Sequence, residues 1–115
     1  MIKTLENDAD FQSIIAQGKV VVDFNATWCG PCRMMGRIIE NIQDDYADVT
    51  FLGVDVDQHP QLANAFHISS IPCMYFFKDG QQIKVDTPDD GKSDYLLGAR
   101  PEDDFRDILD HSFNA

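Results

Sequence analysis

The run Val20 to Cys32, Val-Val-Val-Asp-Phe-Asn-Ala-Thr-Trp-Cys-Gly-Pro-Cys, constrains this chain more than any other stretch. It opens on three β-branched apolar residues, as a strand buried on both faces requires. It closes on Trp28-Cys29-Gly30-Pro31-Cys32. Immediately afterwards Met35, Ile38, Ile39, Ile42 and Tyr46 recur at helical spacing and form one apolar stripe. A buried strand therefore delivers a Cys-x-x-Cys to the start of an amphipathic helix. The first amides of a helix lack partners and sit at the positive end of its dipole. A thiolate is stabilised there, so the pKa of Cys29 is expected to fall and Cys29 to be the attacking sulfur in thiol–disulfide exchange. Cys32, one turn on, can reach back to it. Pro31 suits a first helical turn, and Gly30 lets another chain approach closely.

The rest of the chain reads as one domain of alternating elements. Ile2 to Leu5 is a candidate edge strand. Asn7 or Asp8 can cap a helix through Gln17 that buries Phe11, Ile14 and Ile15 and ends at Gly18. The strand Lys19 to Asn25 and a helix from Cys32 to about Ala47 follow. Phe51 to Val56 is a second buried strand, and Asp57 to Pro60 opens a short helix ending near Phe66. Cys73 to Lys78 is a strand, Asp79-Gly80 a hairpin turn and Gln82 to Val85 the returning strand. Pro101 opens a last helix with Phe105, Ile108 and Leu109 inward. The order β-α-β-α-β-α-β-β-α predicts an α/β fold, a central mixed sheet with helices on both faces.

These motifs resemble the thioredoxin family. Trp28-Cys29-Gly30-Pro31-Cys32 matches the family's active-site pentapeptide in full, preceded by matching Val22-Asp23-Phe24 and Ala26-Thr27. Ile71-Pro72 matches its cis-proline site, and Phe76-Phe77-Lys78-Asp79-Gly80 its late strand and turn. The resemblance runs from about residue 10 to 112 and implies the thioredoxin fold over a single domain, 1–115. It implies a protein-disulfide reductase with no bound cofactor, whose redox-active group is the Cys29–Cys32 disulfide. Cys29 attacks a substrate disulfide, Cys32, expected to be the more buried of the two, resolves the mixed disulfide, and Asp23 exchanges the Cys32 proton. Trp28, Gly30, Pro31, Ile71, Pro72 and Gly98 line the substrate surface, with Pro72 cis and the Ile71 backbone offered to an extended peptide. Disulfide-containing proteins are the implied substrates, and an NADPH-dependent thioredoxin reductase is the implied regenerating partner.

Four residues depart from the family pattern. Asn25 stands where a second Trp is common, and Gly53 where a Lys often lies near the buried Asp. Without that cation Asp23 is expected to ionise less readily. Arg37 replaces a helix-kinking proline. Cys73 follows Pro72, where Thr is commoner. Cys73 reads first as a small buried strand residue, then as a candidate regulatory thiol. A metal site with Cys29 and Cys32 lacks a fourth ligand at an evident spacing among His59, His67 and His111, so no metal is expected.

The segment Asp86 to Leu97 is longer than the resemblance implies and carries Asp86, Asp89, Asp90 and Asp94. The spacing does not fit a calcium loop. A solvated hairpin is expected, and an alternative function uses it: a dedicated reductant, or a redox-linked binding partner, of one specific protein. The net charge of −11, from 20 acidic and 9 basic residues, opposes binding to nucleic acid or anionic lipid. No run has the roughly 18 apolar residues of a membrane helix. Met1 to Glu6 lacks signal-peptide features. A cytoplasmic monomer is expected.

Overall fold

The computed structural model of the chain describes residues 1–114. Its organising element is β2 (Lys19–Asn25), whose side chains from Val20 to Phe24 are all buried. On one side β2 pairs in parallel with β3 (Val49–Asp55), which pairs in parallel with the edge strand β1 (Ile2–Thr4). On the other side it pairs antiparallel with β4 (Cys73–Lys78), Phe24 opposite Cys73 and Asp23 opposite Met74.

Strand alternation then sorts the core into two layers. Val20, Val22, Phe24, Leu52, Val54, Tyr75 and Phe77 point to one face. There they meet Phe11 and Ile15 of α1 (Phe11–Ile15) and Leu62 of α3 (Pro60–Ala65), with Phe66 just beyond. Val21, Phe51, Met74 and Phe76 point to the other face. It is covered by Met35, Ile39 and Ile42 of α2 (Gly30–Ile42) and by Phe105, Ile108, Leu109 and Phe113 of α4 (Glu102–Phe113). The mixed sheet with helices on both faces is the architecture the sequence implied.

Several boundaries differ from the sequence reading, each for a local reason. The predicted helix through Gln17 is a 3-10 turn, Asp8–Asp10, followed by only five α-helical residues. Neither proposed cap acts through its side chain. The Asp10 N–H bonds the Asn7 carbonyl, and Asp8 is turned to His59 instead. Gly18 does end the segment, at φ +72°. Helix α2 begins two residues earlier than expected, with Cys29 at its cap, and tightens after Ile42 into a 3-10 turn, Gln43–Tyr46.

The returning strand Gln82 to Val85 is cut in two. β5 (Gln81–Ile83) pairs with Phe76 to Lys78, while β8 (Leu96–Leu97) takes Cys73 and Met74 on the same edge of β4. Between them the chain leaves the sheet as a separate hairpin, β6 (Val85–Thr87) and β7 (Gly91–Ser93). Val85 is fully buried in the α4 layer, and the Asp86 N–H donates to Ser112 Oγ at 2.8 Å. Asp94 pairs with Lys84. The expected hairpin is thus present, anchored on α4.

The buried His59 ties the N-terminal segment to α3. Its Nε2 donates to the Leu5 carbonyl at 2.8 Å, and its Nδ1 lies 2.5 Å from Asp8 Oδ1. Removing the carboxylate strands a ring nitrogen in the core, at a cost of about 1–3 kcal/mol. Asp8→Ala should therefore lower the unfolding free energy by that amount, read as a lower urea midpoint at unchanged slope, whereas Asp10→Ala should change the free energy by less than about 0.5 kcal/mol.

Candidate active site

The strand β2 ends at Asn25, and Ala26 to Trp28 carry the chain across the sheet end to α2. Cys29 is extended (φ −91°, ψ 112°) and caps the helix with its sulfur, which accepts the Cys32 N–H at 3.2 Å. Pro31 lies in the first turn, where its missing N–H leaves nothing unpaired. The two cysteines form a disulfide, with Cα atoms 5.2 Å apart. They are equally buried, at 5% and 6% exposure, so Cys32 is not the deeper of the pair. Ala26 packs against both sulfur-bearing residues, and Val56 and Ile71 close over the cluster.

The loop before β4 supplies the other wall. Ile71-Pro72 is cis, and the Ile71 carbonyl oxygen lies 3.9 Å from Cys29 Sγ. The Pro72 carbonyl accepts the Gly98 N–H at 2.8 Å, and Gly98 has φ +85°, a conformation that favours glycine. The three segments 28–32, 71–72 and 97–98 thus meet at one edge.

Trp28 is 67% exposed, a surface residue rather than a core one. Its indole N–H donates to Asp57 Oδ2 at 2.8 Å. Asp55 Oδ1 in turn accepts the N–H groups of Asp57 and Gln58, fixing that loop. Arg33 braces the opposite rim through the Thr27 carbonyl at 2.9 Å. Asp55, Asp57 and Arg33 were not singled out in the sequence. The Trp28–Asp57 pair in particular spans twenty-nine positions and leaves no local pattern.

Asp23 lies on the α2 face of β2, 6% exposed, and its Oδ1 has no hydrogen-bond partner. Burial pushes its pKa from 3.8 up to about 7, against a smaller downward pull from Asn25. The Asn25 carboxamide itself donates to the Asp23 backbone carbonyl at 3.1 Å. Cys73 lies on the opposite face of the sheet, 4% exposed. Burial first and the Asp23 charge second push its thiol up to about 11. A thiol so placed is a poor nucleophile at neutral pH. Among the described residues, no three His, Cys, Asp or Glu side chains converge as a metal site. No helix among the described residues is long and apolar enough to cross a membrane.

A disulfide at a helix N-terminus, beyond the end of the central strand of a mixed sheet and against a cis-proline loop, defines a dithiol–disulfide exchange protein. The thioredoxin family model matches residues 2–110. A thioredoxin of Staphylococcus aureus is 39% identical over 106 residues, covering 90% of each chain. The oxidised mitochondrial thioredoxin 3 of Saccharomyces cerevisiae superposes with TM-score 0.75 at 36% identity, over 95% of this chain and 94% of its own. The oxidised thioredoxin of Plasmodium falciparum gives 0.76 at 28%, over 96% and 97%. The chain belongs to the thioredoxin family and is a thiol–disulfide oxidoreductase.

The raised carboxyl makes a test of stability. Between about pH 4 and pH 7 folded Asp23 holds a proton that the unfolded chain has lost, so this residue makes stability fall as pH rises. About three pKa units correspond to roughly 4 kcal/mol. Asp23→Asn should thus gain stability over the native chain up to about that amount above pH 7, and the gain should vanish below about pH 4. Urea unfolding of both chains across that range reads it.

Proposed function

We propose that this protein is a general reductant of protein disulfides, acting through a two-sulfur cycle in which Cys29 attacks and Cys32 resolves. The Cys29 cap at α2 supports this most directly: its sulfur already accepts a helix amide. In the dithiol the same amides face a Cys29 thiolate. That thiolate attacks one sulfur of a substrate disulfide, and the other sulfur leaves as a thiolate and takes a proton from water. Asp23 accepts the Cys32 proton. The Cys32 thiolate then attacks Cys29 Sγ, expelling the second substrate thiolate and closing the Cys29–Cys32 disulfide. Two electrons have passed to the substrate. A thioredoxin reductase drawing on NADPH restores the dithiol. The family's general dependence on disulfide proteins and a reductase supports both partners.

Trp28, Gly30, Pro31, Ile71, Pro72 and Gly98 form the receiving edge. An extended substrate strand lies along Ile71 as an added strand, with Trp28 and the exposed Leu97 on either side. Cys73 stays buried and unreactive. The protein acts as a cytoplasmic monomer.

Insulin reduction with dithiothreitol tests the assignment. Cys29→Ser should lose all acceleration, and Cys32→Ser should accumulate a mixed disulfide on Cys29, visible by mass. Asp23→Asn should slow turnover roughly 10²-fold or more and remove the limb of the pH–rate profile centred near pH 7. An unchanged profile would exclude Asp23 from proton transfer.

A further inference from the structure

A cleft of about 160 Å³ lies between α2 and the β1–β3 edge, on the side of the sheet that carries Asp23. It exists because two side chains are missing. A Cβ on Gly36 would meet nothing within 4 Å, and one on Gly53 would sit 3.5 Å from Asn25 Nδ2 and 3.7 Å from the Lys3 carbonyl oxygen. Strand register puts Thr4 beside Gly53 and Gly53 beside Asp23, all on the α2 face. Lys3 pairs with Leu52, whose side chain belongs to the opposite face, so Lys3 offers the cleft its backbone. The polar lining is thus rich in acceptors: the Asp23 and Glu40 carboxylates, the Thr4 hydroxyl, the Asn25 carboxamide and the Lys3 carbonyl. Among these lining groups, Asp23 carries an Oδ1 that is buried without a partner.

We propose that this cleft binds a small primary ammonium ion, whose N–H donors meet the orphaned Asp23 carboxylate. Glu40, and Asp23 once ionised, repel anions. A divalent metal lacks a converging ligand set among the described residues. Water satisfies the hydrogen bond but supplies no countercharge. An alkylammonium brings three donors and one positive charge. The volume, about that of five waters, admits a short chain such as ethylammonium with its carbon end against Ile39 and Phe51.

Binding selects ionised Asp23, so it draws the midpoint of that group downward and tightens as pH rises through about 7. The charged or titrating neighbours are Glu40 on α2, Lys3 on β1, Cys73 on β4, whose thiol stays neutral across this range, and Cys32 on α2, which carries no titrating thiol while the Cys29–Cys32 disulfide is closed, the state in which the site is tested. The effect on turnover rests on Asp23 taking the Cys32 proton in the proposed cycle. The binding does not.

The test is an NMR titration of the Asp23 carboxyl carbon in the full chain, with ethylammonium chloride against potassium chloride and tetramethylammonium chloride at matched ionic strength. Ethylammonium should lower the midpoint saturably, by about one unit for each tenfold preference for the ionised form. The two controls should not. Gly36→Leu brings a side chain into the cleft from a position where a Cβ meets nothing within 4 Å, and it should abolish the response while leaving Asp23 titrating. Gly53→Val gives a second filled variant. A midpoint that responds equally to all three salts, or an ethylammonium response that survives both filled variants, overturns the site. A saturable midpoint shift with no matching shift in the pH–rate profile keeps the site and removes Asp23 from the proton transfer.

Discussion

The site depends on one geometric constraint: β2 must end, buried and immobile, where α2 begins. The Cys32 amide then points at Cys29 Sγ, and the field of a thirteen-residue helix is fixed on that sulfur. The constraint is held from below by the burial of Val20, Val21, Val22 and Phe24, each worth about 1.5–3 kcal/mol as an upper estimate. It is held from the sides by Trp28 on Asp57 and Arg33 on Thr27.

The same burial makes Asp23 costly. A carboxylate inside a valine strand without a cation must shed most of its hydration, and its proton is retained to about neutral pH. Ionising it costs roughly 4 kcal/mol more in the folded protein than in the unfolded chain. Gly53 and Gly36 leave room beside that carboxyl, in a space lined by β1, β2, β3 and α2 and by none of the residues of the 71–72 and 97–98 segments.

The outer edge of β4 carries a second division of labour. β5 and β8 share it end to end, and the hairpin between them is fastened to α4 through Val85 and Ser112. The acidic segment can therefore be long without disturbing Cys73 to Pro72 or the Gly98 turn. Its acidic side chains do not gather as ligands, since Asp94 turns to Lys84 and none joins two others in a metal-like group among the described residues.

The sequence by itself determined the strand–cysteine–helix unit, the bounds of β2 and β4, the Asp79-Gly80 turn and the two-layer α/β plan. Each of these is set by neighbours within a few positions: β-branched runs, helical periodicity and turn chemistry. Tertiary structure alone decided where distant groups meet. Asp8 leaves its capping role because His59 reaches it, β5 stops at Ile83 because β8 claims the rest of the β4 edge, and Cys32 is no deeper than Cys29 because Ile71 and Val56 cover both. The Trp28–Asp57 bond and the Asp23 cleft belong to the same class. They arise from residues far apart in the chain that share one face of the sheet or one edge, and no local pattern encodes which of them will be left without a partner.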